Sequence, residues 1–285
     1  MAVAEKMKMP QIVIGLTIVA MGTSMPEFCV SFISALKGTS DLAVGNIVGS
    51  NIFNALLIVG VSALVAPMTI MKTTVRKDIP FALVASALLL IMCLDGDISR
   101  LDAGILFVMF LIFMYMTLKG AKKQGADAEE AIEGEGKKPM ATWLSVVWIL
   151  VGLLCLIGGS NLFVEGATAV ATNLGVSEAV IGLTIVAGGT SLPELATSVV
   201  SARKGNSGIA IGNALGSNVF NILAILGITG MITPMTLKGI TYIDLSMLVI
   251  SIMLVWLFSF TKYKIERWEG AVLTAVFVGY IYSLL

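Results

Sequence analysis

Long apolar segments separated by short polar ones occupy almost the whole chain. Nine of these segments approach or exceed the roughly 20 residues that a helix needs to cross a bilayer. We place them near Gln11–Leu36, Leu42–Ala66, Ile79–Leu94, Leu101–Leu118, Ala141–Ala171, Glu178–Ala202, Gly208–Ile232, Tyr242–Phe260 and Trp268–Leu285. The pattern predicts an all-α polytopic membrane protein with the lipid bilayer as its surroundings.

Polar residues inside these segments recur at a fixed offset of 167 positions. Between Ile14 and Thr69, 32 of the 56 residues are identical to those between Ile181 and Thr236. Each copy contains Gly-Thr-Ser-x-Pro-Glu followed by Gly-Ser-Asn-x-Phe-Asn. We therefore expect two structural repeats, at about residues 14–69 and 181–236.

Lysine and arginine are distributed unevenly between the two sides of the predicted membrane. If the amino terminus is cytoplasmic, 15 of the 18 basic residues lie on the cytoplasmic side, where such residues concentrate in membrane proteins. The first repeat then enters from the cytoplasm and the second from outside, so the repeats have inverted topology. The halves are residues 1–120, with four helices, and 141–285, with five; the linker 121–140 is predicted to be cytoplasmic and the carboxyl terminus outside.

Composition narrows the class of function. The chain is 57% hydrophobic and 13% charged, with mean hydropathy +0.97, which excludes an ordinary soluble domain. Its formal net charge is zero, so nothing points to nucleic acid. Its three cysteines lie in apolar segments, where we expect them to be buried. The absence of histidine argues against a typical zinc site and against an intramembrane hydrolase with Ser24 or Ser191 as nucleophile.

The Thr-Ser-x-Pro-Glu string has two interpretations. Ser24 with Glu27, and Ser191 with Glu194, fit a helix-capping box that only restarts a helix. However, both glutamates fall near the middle of membrane-length segments, where a charged side chain costs on the order of 2.5 to 3.5 kcal/mol. Glycine and proline would also break each helix there and free backbone carbonyls. We therefore favour a broken helix that carries a ligand site.

The second string places amides and a hydroxyl four residues apart. Asn46, Ser50 and Asn54 form one stripe on a helix, and Asn213, Ser217 and Asn221 repeat it. Glycines beside each stripe could serve helix packing alone, as a small-x-x-x-small face. Packing and ligation are compatible, because close helices bring the amides to the site. For Asn54 and Asn221, the deepest members, we favour ligation.

Carboxylates, amides, hydroxyls and carbonyls together form an all-oxygen site. Such sites suit hard cations, and calcium accepts six to eight flexible oxygen ligands. Two glutamates would neutralise one calcium ion. After calcium leaves, the paired carboxylates need sodium ions or protons, because unpaired charges in a low dielectric are costly. The composition of the site therefore predicts exchange of one cation for another.

The duplicated strings resemble the alpha repeats of the calcium/cation antiporter superfamily, most closely its sodium/calcium exchanger branch. The resemblance implies an antiporter, not an enzyme, that needs no cofactor, has no obligate protein partner and moves calcium and sodium as substrates by alternating access across a cell membrane. It implies that Glu27 and Glu194 are the central ligands. The other implied ligands are hydroxyls, amides and backbone oxygens: Thr23, Thr190, Ser24, Ser191, Ser50, Ser217, Asn54, Asn221, Ala20 and Ala187.

Two features depart from the family pattern. Some members have aspartate where this chain has Asn221, which bears on sodium stoichiometry. Members resemble ten-helix proteins, whereas nine segments are present here. We therefore expect the full gene product to begin some 20 to 30 residues upstream, an estimate from the length of the spanning helix that is missing. The alternatives are a proton/calcium antiporter, although its typical Gly-Asn-x-x-Glu string is absent, and a transport-inactive truncated membrane protein.

Overall fold

The computed structural model describes residues 10–127 and 142–284, and these residues are mostly helical. In chain order the helices are α1 (Gln11–Thr23), α2 (Met25–Leu36), α3 (Ser40–Val65), α4 (Thr74–Asp95), α5 (Arg100–Asp127), α6 (Thr142–Asn173), α7 (Glu178–Thr190), α8 (Leu192–Arg203), α9 (Ser207–Ile232), α10 (Tyr242–Ser259) and α11 (Arg267–Leu284). Four two-residue strands lie between helices: β1 (Met68–Thr69), β2 (Asp97–Ile98), β3 (Met235–Thr236) and β4 (Lys264–Ile265).

Each repeat begins with a broken helix. The chain bends by 46° between α1 and α2, and by 46° between α7 and α8. Ser24 and Ser191 stand at the two bends, and a proline follows in the first turn of α2 and of α8. Proline has no backbone N–H, so it fits the first turn of a helix and interrupts a continuous one. The predicted breaks are therefore present in both repeats.

The centre of the molecule is formed by α3 and α9. Within the most apolar window of each of these helices 83% of the residues are buried, compared with 17% in α5. Glycine makes this central packing possible, because a Cβ on Gly49 would lie 2.4 Å from the Leu183 carbonyl oxygen of α7. A Cβ on Gly216 would likewise lie 2.6 Å from the Leu16 carbonyl oxygen of α1. The expected small-residue packing is confirmed.

Around this centre, helices of one half pack against helices of the other half. The α3 helix packs against α7, whereas α9 packs against α1. Farther along, Gly270 of α11 packs against Gly60 of α3, and Ala103 of α5 packs against Gly230 of α9. The strands follow the same rule, because β1 pairs antiparallel with β4 and β2 pairs antiparallel with β3. Neither half therefore encloses its own core.

Several predicted boundaries can be compared with the described residues. Five helices there are long and apolar enough to span a membrane, or seven if each bent pair is one span, so nine spans stay a prediction. The α5 helix continues to Asp127, beyond the predicted start of the linker at 121, and residues 128–140 of that linker lie outside the described part of the chain. Cys93 is buried, but the prediction was wrong for Cys29 and Cys155, which are exposed. An apolar segment predicts burial in the bilayer, which does not require that every side chain on it be buried inside the protein.

Candidate cation site

All twelve predicted ligand residues are buried where the two broken helices meet α3 and α9. Glu27 lies in the first turn of α2 and Glu194 in the first turn of α8, and both side chains are 0% exposed. The remaining residues lie at the end of α1 or α7, at the two bends, or on α3 or α9: Ala20, Thr23, Ser24, Ser50, Asn54, Ala187, Thr190, Ser191, Ser217 and Asn221.

Reciprocal hydrogen bonds join the two glutamates to the opposite repeat. Ser24 Oγ donates to Glu194 Oε1 at 2.9 Å, and Ser191 Oγ donates to Glu27 Oε1 at 2.9 Å. Neither serine side chain caps the helix that follows it. The capping-box interpretation is therefore wrong, because each serine hydroxyl is used across the interface between repeats. Both carboxylates consequently belong to a single cluster.

Several polar atoms of this cluster have no partner among the residues that the structure describes. Within that part of the chain, the second carboxylate oxygens, Glu27 Oε2 and Glu194 Oε2, are buried without a hydrogen bond, and the amide groups of Asn54 and Asn221 are also unpaired. Buried polar atoms are normally paired, because removing them from water without compensation is costly. A cation bound among these oxygens would supply the missing interaction. The donor set fits a hard cation such as calcium or sodium.

The α3 and α9 serines approach the cluster in different ways. Ser217 Oγ donates to Glu194 Oε1 at 3.3 Å. Ser50 Oγ instead lies 3.4 Å from the Ala187 carbonyl oxygen and 3.5 Å from Thr190 Oγ1. The Ala187 carbonyl also accepts the backbone N–H of Ser191, so it is not wholly freed by the helix break, although a carbonyl oxygen has two lone pairs.

Two asparagines outside the predicted ligand set connect this cluster. Asn46 Nδ2 donates to the Glu27 carbonyl at 3.3 Å and to Ser31 Oγ at 2.9 Å. The equivalent bonds run from Asn213 Nδ2 to the Glu194 carbonyl at 3.3 Å and to Ser198 Oγ at 3.0 Å. Sequence reasoning placed the asparagines on the stripe but overlooked the two serines. Their identity at the 167-residue offset is the signal that could have identified them.

The electrostatic character of the cluster is acidic. Both glutamates receive their side-chain hydrogen bonds from neutral serine hydroxyls. No group of three or more histidine, cysteine, aspartate and glutamate residues that could hold a metal occurs in the ranges 10–127 and 142–284. Neutral oxygens must therefore provide most of the ligands to a bound cation, with two carboxylates providing the charge.

Comparison with known sequences places this geometry in context. The sequence profile described as "Sodium/calcium exchanger protein" matches residues 1–119 and 144–285. The inner membrane protein YrbG of Escherichia coli is 37% identical, over 96% of this chain and 86% of its own length. The sodium/calcium exchanger MaX1 of Methanosarcina acetivorans is 31% identical, over 99% of this chain and 91% of its own length.

Solved structures give the same result. The sodium-calcium exchanger NCX_Mj, from crystals soaked with sodium and strontium, aligns with a TM-score of 0.82 at 31% identity. That alignment covers 100% of this chain and 90% of NCX_Mj. A second NCX_Mj structure, from crystals soaked with sodium and calcium, aligns with a TM-score of 0.81. The helical architecture is thus that of a polytopic membrane protein.

Proposed function

The chain belongs to the sodium/calcium exchanger family of cation antiporters, and we propose that it exchanges calcium for sodium at the buried cluster around Glu27 and Glu194. The observation that supports this most directly is the reciprocal pair of serine–glutamate hydrogen bonds, at 2.9 Å each. These bonds connect the two repeats through their acidic side chains. A cation bound between the carboxylates would therefore contact both repeats at once.

The charge of the cluster supports exchange. Two carboxylates balance one calcium ion, and their removal from water makes an ion-free state costly. Sodium ions replacing calcium would keep both carboxylates compensated during the return step. In this proposal the ligands are the twelve residues named above, with Glu27 and Glu194 at the centre and Thr23, Thr190 and the Ala20 and Ala187 carbonyls at the flanks.

The proposed transport cycle follows alternating access. The two repeats have inverted topology, with the linker on the cytoplasmic side of the cell membrane and the carboxyl terminus outside. The site stays near the middle of the bilayer and opens to one side at a time. The bends at Ser24 and Ser191 support this arrangement, because broken helices at membrane depth are a recurring feature of transporter binding sites.

Calcium flux in proteoliposomes tests this function. We expect the purified full-length protein to take up calcium when an outward sodium gradient is imposed, and to show no more than leak when choline replaces sodium. A pH gradient imposed without sodium is the parallel arm of the experiment. Uptake driven by the pH gradient alone would identify a proton/calcium antiporter, and absence of uptake with either gradient would contradict antiport.

A further inference from the structure

We propose that Asn46 and Asn213 are positioning residues that fix the hydroxyl orientation of Thr190 and Thr23, so that both threonine oxygens present lone pairs to the transported cation. This inference rests on the proposed function and extends it to residues outside the ligand set. Each asparagine lies on the central helix of one repeat, whereas its threonine lies in the other repeat. Both asparagine side chains are 0% exposed.

The orientation of the Asn46 amide is determined by its neighbours. The Glu27 carbonyl oxygen can only accept a hydrogen bond, and it lies 3.3 Å from one end of the amide. Ser31 Oγ lies 2.9 Å from the same end and gives its own hydrogen to the Ala43 carbonyl at 3.0 Å. That end of the amide must therefore be the NH₂ group, because both neighbours need a donor.

The opposite end of the amide is consequently an oxygen, which can only accept. Thr190 Oγ1 lies 3.0 Å from it and carries a single hydrogen. The Val186 carbonyl, also 3.0 Å from Thr190 Oγ1, belongs to α7, where backbone N–H groups of the next turn are its usual donors. Donation by Thr190 therefore satisfies Asn46 Oδ1, a buried oxygen that has no other hydrogen-bond donor in the part of the chain that the structure describes.

The second repeat reproduces this chain of hydrogen bonds. Asn213 Nδ2 donates to the Glu194 carbonyl and to Ser198 Oγ, which itself donates to the Ala210 carbonyl at 3.3 Å. Thr23 Oγ1 lies 3.1 Å from Asn213 Oδ1. The arrangement is crossed, because each asparagine holds the glutamate backbone of its own repeat and the threonine hydroxyl of the other.

This geometry has a consequence for ligation. A hydroxyl group binds a cation through an oxygen lone pair, so its hydrogen must point elsewhere. By accepting that hydrogen, the asparagine oxygen orients the threonine before the ion arrives, as outer-shell partners do for metal ligands. Loss of the amide should therefore weaken ion binding while leaving the maximal rate much less affected.

A double-substitution experiment tests the proposal through its coupling. Sodium-driven calcium uptake is measured for the parent, Asn46→Leu, Thr190→Val and the double variant, with half-saturating calcium concentration and maximal rate fitted separately. We expect Asn46→Leu to raise the half-saturating concentration about tenfold, the lower range for outer-shell changes. Thr190→Val, which removes the proposed ligand oxygen itself, should raise it at least as much. The double variant should match Thr190→Val within about twofold, because Asn46 acts through Thr190. Multiplied effects in the double variant, or no effect of Asn46→Leu, would overturn the proposal.

Two further variants separate positioning from folding. Asn46→Asp keeps an oxygen at the acceptor position and loses the NH₂ donors, so its half-saturating calcium concentration should rise less than that of Asn46→Leu. A rise similar to that of Asn46→Leu would assign the effect to the lost donors and overturn the proposal. Ser62→Ala removes a buried hydroxyl from the same helix that has no hydrogen-bond partner in the described part of the chain, and this variant should match the parent. Failure of the parent to transport would instead contradict the proposed function.

Discussion

The two repeats share their serine–glutamate bonds at the site and differ at the ends of their central helices. In the interior, each carboxylate accepts a hydrogen bond of 2.9 Å from a serine of the other repeat. At the beginning of α3, Asp41 accepts the backbone N–H groups of Lys238 and Gly239 at 2.9 Å each. The equivalent position in α9 is Gly208, which has no side chain to make such bonds. The comparison indicates that contacts between the repeats are kept in the interior, whereas each end of a central helix fits its own loop.

Substituting the two glutamates one at a time is the most severe test of interior equivalence. Glu27→Gln and Glu194→Gln each remove one of the two charges that would balance calcium in the proposed site. We expect each to reduce sodium-driven calcium uptake by roughly a hundredfold or more, because calcium sites depend strongly on ligand charge. Glu165→Gln, an exposed position on α6, is the matched control. A loss confined to one glutamate would show that the repeats contribute unequally.

Adding a methyl group at the central glycines tests equivalence in packing. A Cβ at position 49 or 216 would collide with backbone of α7 or α1. We expect Gly49→Ala and Gly216→Ala each to destabilise the protein by about 1 to 3 kcal/mol, the usual cost of overpacking. Thermal unfolding in detergent measures this. Gly104→Ala should unfold near the parent temperature, because its Cβ would meet no atom of the described residues within 4 Å apart from its own helix backbone. Equal behaviour of all three variants would contradict the close crossing.

The bonds made by Asp41 are expected to give the smallest effect. Asp41→Ala removes both acceptors for the loop before α10 and should cost about 1 to 2 kcal/mol of stability. The half-saturating calcium concentration should stay within about twofold of the parent, since an end contact lies outside the proposed ligand set. Ser40→Ala on the preceding residue serves as the control. A large change in calcium affinity would show that this end contact is coupled to the site.

Much of the site was predictable because the duplication marks the same residues twice. The offset of 167 identified both glutamates, both bends and the glycine faces, and the structure gives the bends and faces as expected. The reciprocal use of Ser24 and Ser191 was not predictable, since a serine three residues before a glutamate also fits a local cap. Which partner it takes depends on the distance between α1 and α7, which no local pattern contains.

Other features depend on contacts between distant parts of the chain. The strands contain only two residues each, too few for a periodic signal, and they form because the loops of opposite halves lie side by side. The role of Asn46 also required the structure. Its spacing from Ser50 and Asn54 suggested a common role. In the structure, however, its NH₂ group donates to the Glu27 carbonyl and to Ser31.

The packing of helices from one half against helices from the other has a consequence for synthesis at the ribosome. Glu27 is separated by 164 residues from Ser191, the hydroxyl with which it pairs. At typical translation rates of about 5 to 20 residues per second, roughly ten to thirty seconds pass between their emergence. During that interval Glu27 and the glycine face of α3 have no partners, because α7 and Ser191 have not yet been synthesised. Until the second half is made, the first half must therefore exist without the serine that hydrogen-bonds to Glu27.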